Sequence, residues 1–123
     1  MRYVVVSEKG ETNYGDGVRK PKTGEFMKFW RDNASFPYKS HDKWFLAETR
    51  RLGFLPNGVD YDKVVNAVNR SDLWREAAKE LGQSGPKTDS RGVETFFDGI
   101  KFDPENPEAY LASLKIKRLD GKK

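Results

Sequence analysis

The stretch that most constrains the fold covers residues 90–114 and reads SRGVETFFDGIKFDPENPEAYLASL. Asn106, Pro107 and Glu108 spell a helix start, because Asn caps free amides, Pro suits the first helical position and Glu favours the positive end of the helix dipole. An Asp-Gly turn precedes the alternating run at residues 100–102. The large apolar side chains of the stretch are Phe96, Phe97, Ile100, Phe102, Tyr110, Leu111 and Leu114. They need a docking surface, which we expect much of the remaining chain to supply.

Helix signals also occur at residues 23–33, 40–52, 60–68 and 71–81. Each begins with a residue that can cap free amides: Thr23, Ser40, Asp60 and Ser71. Gly53 and Gly82 follow the second and the fourth, as left-handed residues that end helices. Apolar residues recur three and four positions apart in Phe26, Phe29 and Trp30, in Tyr61, Val64, Val65 and Val68, and in Leu73, Ala77 and Leu81. This spacing predicts core faces rather than a cofactor box.

The fold class that these signals predict is mainly α, in the α+β sense, with four to five helices and one or two short strands. A strand is expected at residues 3–6, which are β-branched and aromatic. We predict a single domain over residues 1–123, with a flexible polar loop near residues 83–91 and a basic tail at residues 115–123.

Composition indicates a folded chain with a thin core. Hydrophobic residues make up 36% of the chain and charged residues 34%, while aromatic residues reach 13%, which is more than disordered chains usually carry. A thin core leaves apolar surface to be covered, so we expect the chain to complete its burial against a larger body or a partner.

The sequence contains little that points to catalysis or to metal binding. His41 is the single histidine and cysteine is absent, which excludes the usual zinc sites, disulfides and a cysteine nucleophile. The carboxylates of Asp98, Asp103 and Glu105 are close in sequence but lack the spacing of an EF-hand. We therefore predict no enzyme, no catalytic residue, no cofactor and no metal site.

The charge balance bears on nucleic-acid binding. Lys and Arg total 23 against 19 Asp and Glu, for a net charge of +4. Basic groups lie near Tyr38, Trp44 and Trp74, a combination that can bind single strands. Acidic residues are interleaved with them, however, and weaken the field that phosphate binding needs. A solvated face with local ion pairs is the favoured interpretation.

Several long motifs carry a family resemblance. They are FPYKSHDKWFL at residues 36–46, NRSDLWREAAKELG at 69–82 and SRGVETFFDGIKFDPENPEAYLASLKIK at 90–117. NYGDG at residues 13–17 and FMKFWRDNASFPYKSHD at 26–42 fit the same pattern. Together they resemble the C-terminal region of the nitrate- and bicarbonate-binding proteins of cyanobacterial ABC uptake systems, over roughly residues 13–117.

The resemblance implies a C-terminal piece of a two-lobed, periplasmic-binding-protein-like α/β fold with the anion in its cleft. A similar domain is fused to the nitrate-transport ATPase subunit, where it is cytoplasmic and regulatory. We expect the family's anion contacts to lie mainly in the N-terminal part that this chain lacks. With Met1 as the true start the chain is expected in the cytoplasm, and as a fragment of an exported binding protein it is expected in the periplasm. No stretch approaches the length of a membrane span.

The function predicted first is that of a non-enzymatic accessory or regulatory protein of nitrate/bicarbonate uptake, which contacts a transporter component or forms a homo-oligomer. Its expected docking residues are Trp44, Phe96, Phe97 and Phe102. The alternative is direct binding of a small oxyanion such as nitrate, nitrite or bicarbonate, with Lys39 and His41 as candidate contacts at a helix start. The second alternative is a basic nucleic-acid-binding module.

Overall fold

The computed structural model describes residues 28–116 in full, together with the backbone of residues 5–6, 12–13 and 18–19. The chain divides into two compact units, residues 1–35 and residues 36–123. Predictions for Tyr3, Val4, residues 23–27 and the tail residues 117–123 lie outside the described residues.

The first unit contains a small antiparallel sheet and a 3₁₀ helix. Strands β1 (Val5–Val6), β2 (Thr12–Asn13) and β3 (Val18–Arg19) pair in the order β1-β2-β3, with Val5 opposite Asn13 and Thr12 opposite Arg19. The 3₁₀ helix spans Arg31–Asn33. Strand β1 matches the described half of the strand predicted at residues 3–6.

The prediction of a helix at residues 23–33 is wrong for the residues of that range that the structure describes. Asp32 and Asn33 have φ of 58° and 56°, a left-handed conformation that these two residue types tolerate and that an α-helix excludes. The chain therefore forms only the short 3₁₀ helix there. Phe29, predicted on a core face, is 76% exposed.

The second unit is mainly helical, which confirms the predicted fold class. Its helices are α1 (Lys39–Arg51), α2 (Tyr61–Val68), α3 (Ser71–Glu80) and α4 (Pro107–Ser113). Between α3 and α4 lies a hairpin of β4 (Glu94–Thr95) and β5 (Lys101–Phe102), with Glu94 opposite Phe102 and Thr95 opposite Lys101. No helix in the described part of the chain is both long and apolar enough to cross a bilayer.

The core joins α1 and α2 to the hairpin and α4. Its buried members are Ala47, Tyr61, Phe102, Tyr110 and Leu111, and the Phe102 and Tyr110 rings meet edge to face at 5.3 Å. The apolar groups around it include Trp44, Phe96, Ile100 and Leu114. The prediction that residues 90–114 dock on the rest of the chain is thus confirmed, with Phe97 as the exposed exception.

Two helices begin where the sequence predicts, and in both the capping residue lies just before the first helical residue. Asp60 accepts from the Lys63 amide at 3.0 Å and Asn106 accepts from the Ala109 amide at 3.2 Å, as predicted. Ser40 and Ser71 were predicted as caps and are instead buried residues inside α1 and α3. Ser40 Oγ accepts from the Arg91 amide at 3.2 Å, so it ties α1 to the loop before β4.

Helix α3 buries a different face from the predicted one. Leu73 and Leu81 are exposed, whereas Ser71 and Ala78 are buried and Trp74 is half-buried. The Trp74 ring meets the buried Phe36 ring edge to face at 5.0 Å. Gly85, in the loop that follows α3, also lies against the Trp74 ring. The helix therefore packs through its indole rather than through its leucines.

Substituting Gly85 with alanine is expected to destabilise the chain by about 1–3 kcal/mol, because the new methyl overpacks the Trp74 contact. A Cβ at position 85 would lie 2.2 Å from Trp74 Cζ3. Chemical denaturation of Gly85→Ala measures the loss. In a Trp74→Phe background the same substitution should cost less, because the smaller ring leaves room; equal costs in the two backgrounds would contradict the contact.

Candidate functional site

An aromatic surface, which we define as Trp44, Phe45, Phe96 and Phe97, lies where α1 meets the hairpin. The Trp44 ring centroid lies 5.0 Å from that of Phe45 and 5.5 Å from that of Phe96. Phe45 is exposed and Phe97, at the hairpin turn, is fully exposed. Monomeric domains seldom leave a contiguous group of aromatic rings in water, so this surface is a candidate for contact with another polypeptide.

One side of the aromatic surface is a groove between α1 and β4, with a volume of about 290 Å³. We call it the α1–β4 groove. It is lined by His41, Trp44, Phe45, Glu94, Thr95, Phe96 and Phe102. His41 Nε2 and a Glu94 carboxylate oxygen lie 2.8 Å apart and form its polar end. Its walls are otherwise largely aromatic, a lining that suits an apolar side chain.

On the other side of the Trp44 and Phe96 rings lies a second cavity of about 290 Å³, the hairpin cavity. Its lining consists of Trp44, Glu48, Arg51, Phe96, Phe97, Asp98, Ile100, Tyr110 and Leu114. Gly99 has a φ of 84°, so the turn that carries Phe97 uses a conformation that favours glycine. The predicted turn is closed by the Gly99 amide, which donates to the Phe96 carbonyl at 2.9 Å, and Phe97 lies within it with its ring exposed.

A hydrogen-bonded chain supports the aromatic surface from behind. Trp44 Nε1 donates to the Tyr110 hydroxyl at 3.2 Å, and that hydroxyl donates to Glu48 at 2.6 Å. Arg51 Nε donates to the other Glu48 oxygen at 2.8 Å. Burial, together with the bond to Glu48, raises the pKa of the Tyr110 hydroxyl above its ordinary value. The network fixes the Trp44 ring, so the surface is pre-formed.

The four expected docking residues take two different places. Trp44, Phe96 and Phe97 belong to the aromatic surface, and Phe102 is only 4% exposed in the core. Phe102 alternates with an exposed Lys101 along β5, which turns its ring inward. The residues able to contact a partner are thus the first three, joined by the exposed Phe45 of α1, to which no docking role was assigned from the sequence.

Lys39 and His41, the candidate anion contacts, both face carboxylates. Lys39 Nζ lies 3.3 Å from an Asp89 oxygen and donates to Asn66 Oδ1 at 3.0 Å, and His41 pairs with Glu94. They also open onto different cavities: His41 lines the α1–β4 groove, whereas Lys39 lines a polar cavity of about 270 Å³. The structure does not bring the two together on one ligand position.

The polar cavity is built around Asp89 and Lys43. Lys43 lies on the buried face of α1, where its Nζ donates to the Pro104 carbonyl at 3.1 Å and pairs with Asp62 at 2.8 Å. Asp89 pairs with Lys39 and, at 2.7 Å, with Arg75. These contacts attach the segments that carry Asp89 and Pro104 to helices α1 and α3.

The carboxyl of Asp89 is expected to make the folding stability of the chain depend on pH. Burial alone would raise the pKa of its carboxyl, but hydrogen bonds from Ser71, Arg75 and Lys39 outweigh burial and lower the pKa. A lowered folded-state pKa stabilises the fold above the unfolded value, about 3.9, and that stabilisation is lost as pH falls through the folded value. Asp89→Asn should therefore unfold at lower urea than the wild type at neutral pH.

Repeating the Asp89→Asn comparison at progressively lower pH provides the check. The difference in urea midpoint between the two proteins should shrink as the wild-type carboxyl takes up its proton. A difference that stays constant down to strongly acidic pH would show that the charge of Asp89 is not what stabilises the loop.

Many of the basic side chains that the structure describes form ion pairs. They include Arg50 with Glu108, Arg51 with Glu48, Arg70 with Asp72 and Arg91 with Glu94. This pattern is the local pairing that the interleaved charges indicate. Asp98 and Asp103 each accept from a nearby backbone amide, of Ile100 and Glu105. Within the described residues, no three His, Asp or Glu side chains gather as a metal site would require.

Comparisons with known proteins identify relatives. No protein-family model matches the chain. It is 54% identical over 119 residues to the nitrate/nitrite binding protein NrtA of Nostoc sp., covering 94% of this chain and 27% of that protein. To the bicarbonate-binding protein CmpA of Synechococcus elongatus it is 49% identical over 100 residues, covering 76% of this chain and 22% of that one. The nitrate import ATP-binding protein NrtC of Synechocystis is 27% identical over 108 residues, 16% of its length.

A solved structure supports the same relationship. The crystal structure of the periplasmic nitrate-binding protein NrtA from Synechocystis matches 88% of this chain with a TM-score of 0.74 and 55% identity, over 29% of the crystallised chain. The chain thus spans about a quarter of the length of the binding proteins that it resembles, 27% and 22% for the two above.

Proposed function

The chain is homologous to the solute-binding proteins NrtA and CmpA and to the ATPase NrtC, and from this premise we propose that it is a non-enzymatic module of nitrate or bicarbonate uptake that acts by protein contact. The contact site is the aromatic surface. Its occupant is the portion of an NrtA-like binding protein that this chain does not span.

One observation carries this proposal: aromatic rings stay exposed in a chain that spans only about a quarter of the length of the binding proteins that it resembles. Phe97 is fully exposed and Phe45 is exposed, although Trp44 and Phe96 beside them are held in place from behind. In a longer relative, additional polypeptide is available to cover such a surface. Burying an aromatic side chain removes about 150–250 Å² from water, so several rings together favour a stable contact.

The oxyanion alternative receives less support from the same geometry. The two side chains proposed to hold the anion, Lys39 and His41, face Asp89 and Glu94, and an added anion would have to compete with these carboxylates. The polar cavity contains Lys39 and Lys43 but also Asp62, Asp89 and Glu105. Protein contact is therefore the function that the described residues favour.

The test is a calorimetric titration of this chain into Synechocystis NrtA from which the matching segment has been deleted, with the fold of the deleted protein checked by circular dichroism. We expect saturable binding with a negative heat-capacity change, the mark of apolar burial. Full-length NrtA is the control and should bind no chain, because its own segment occupies the site.

Nitrate, nitrite and bicarbonate titrated into the chain alone provide the opposing outcome. Absence of binding to the folded, deleted NrtA would overturn the proposal. An anion that binds the isolated chain, and that raises its melting temperature with concentration, would favour the oxyanion function instead.

A further inference from the structure

The outer edge of β4 carries backbone groups that are free to pair. The Phe96 amide donates to the Ile100 carbonyl at 2.8 Å, which makes Phe96 and Ile100 a hydrogen-bonded pair of the hairpin. Such pairs alternate with non-bonded ones along antiparallel strands. Thr95 and Lys101 are the next pair, so the amide and carbonyl of Thr95 point away from β5.

The α1–β4 groove runs along this same edge. Glu94 and Phe96 lie two residues apart and share one face of the strand, while the Thr95 side chain takes the opposite face. All three residues nevertheless line the groove. A groove reached from both faces of a strand follows its edge, which places the Thr95 backbone in the groove wall opposite α1.

We infer that β4 accepts an extended polypeptide segment as a third strand, paired to the Thr95 backbone. The inference rests on the proposed function and specifies how the occupant binds. Main-chain bonds to an exposed sheet edge supply affinity in this mode, and alternate side chains of the segment supply specificity. One side chain of the segment fills the α1–β4 groove and packs on the rings of Trp44, Phe45 and Phe96 that line it.

Charge does not add a requirement on the segment. Glu94 is the one carboxylate among the described residues that line the groove, but it already pairs with His41 at 2.8 Å and with Arg91 at 3.2 Å. The groove therefore selects the segment through its aromatic wall, and the segment, from the portion of NrtA that this chain does not span, should present a large apolar residue to that wall.

The experiment screens short overlapping peptides that cover the Synechocystis NrtA sequence for binding to the intact chain. We expect the binding peptides to come from the part of NrtA that this chain does not match and to share a large apolar residue. For the best of them, Thr95→Pro should weaken binding by about tenfold or more, because it removes the amide that pairs with the incoming strand. Thr95→Ser keeps that amide and should bind like the wild type.

Lys101→Pro is the matched control. It removes the equivalent outward amide from the other edge of the hairpin, and it should leave the affinity within about twofold, since an exposed edge tolerates proline. Thermal unfolding of both proline variants shows that the hairpin is intact. Equal losses in the two variants, or none in Thr95→Pro, would overturn strand pairing.

The titration with deleted NrtA separates this inference from the function on which it rests. If the chain binds that protein and Thr95→Pro binds it equally well, strand pairing is wrong and docking through the aromatic surface stands. If the wild-type chain binds neither the peptides nor the deleted NrtA, both are wrong.

Discussion

Replacing Phe102 with alanine is expected to lower the free energy of unfolding by about 3–5 kcal/mol, the usual cost of deleting a buried phenylalanine ring. Phe102 is 4% exposed and packs edge to face on Tyr110 in the core. Its loss would leave a cavity between the hairpin and α4. The measurement is denaturant unfolding monitored by the fluorescence of the tryptophans, with the slope checked for two-state behaviour.

Phe97→Ala is the control for that experiment, because it makes the same change five residues earlier on the same hairpin. Its ring is fully exposed, so the substitution should alter stability by no more than about 0.5 kcal/mol. A cost at Phe97 similar to that at Phe102 would contradict the division of the hairpin into a core residue and a contact residue.

Replacing Phe97 with aspartate is expected to weaken binding to the deleted NrtA by about 30-fold or more, the size of a hot-spot residue that contributes ~2 kcal/mol. Aspartate loses the ring and brings an unpaired charge to the interface, next to Asp98. Binding calorimetry measures the change, and unfolding experiments should show that the free chain is as stable as the wild type.

Phe54→Asp makes the identical chemical change at a position away from the aromatic surface. Phe54 is 79% exposed and lines neither the α1–β4 groove nor the hairpin cavity. Its substitution should leave the affinity within about twofold of the wild type. An equal loss in Phe54→Asp and Phe97→Asp would mean that general surface hydrophobicity, rather than the aromatic surface, causes association.

Local signals in the sequence predicted much of the second unit. Asn106 and Asp60 cap the helices that they were expected to cap, and Gly53 and Gly82 take left-handed conformations after α1 and α3. These predictions succeed because capping and positive φ depend on the residue and its immediate neighbours. The mainly helical fold class follows from the same local preferences.

Burial was harder to predict, because it depends on partners distant in sequence. Lys43 takes a place on the buried face of α1 since Asp62 and the Pro104 carbonyl satisfy its charge. Leu73 and Leu81, by contrast, fit an apolar pattern and are exposed. The helix expected to end at residue 33 does not extend through Asp32 and Asn33, because both residues take left-handed conformations. The spacing of apolar residues does not reveal such conformations.

The candidate site was predicted in part. Trp44, Phe96 and Phe97 were predicted as docking residues, and the structure places all three along one cavity. Glu94 and Thr95 were missed, because their importance comes from lying along the outer edge of β4 opposite α1. The alternation of Glu94 and Phe96 across Thr95 was the available signal, but two-residue strands are too short for periodicity to identify.

Hydroxyl-radical footprinting of the complex with deleted NrtA measures most directly whether the aromatic surface is the contact site. We expect the rates of modification at Phe97 and Phe45 to fall several-fold on binding, whereas the rate at Phe54 should stay unchanged. If Phe97 reacts as fast in the complex as in the free chain, the aromatic surface is not what the partner covers, and the proposed contact site is wrong.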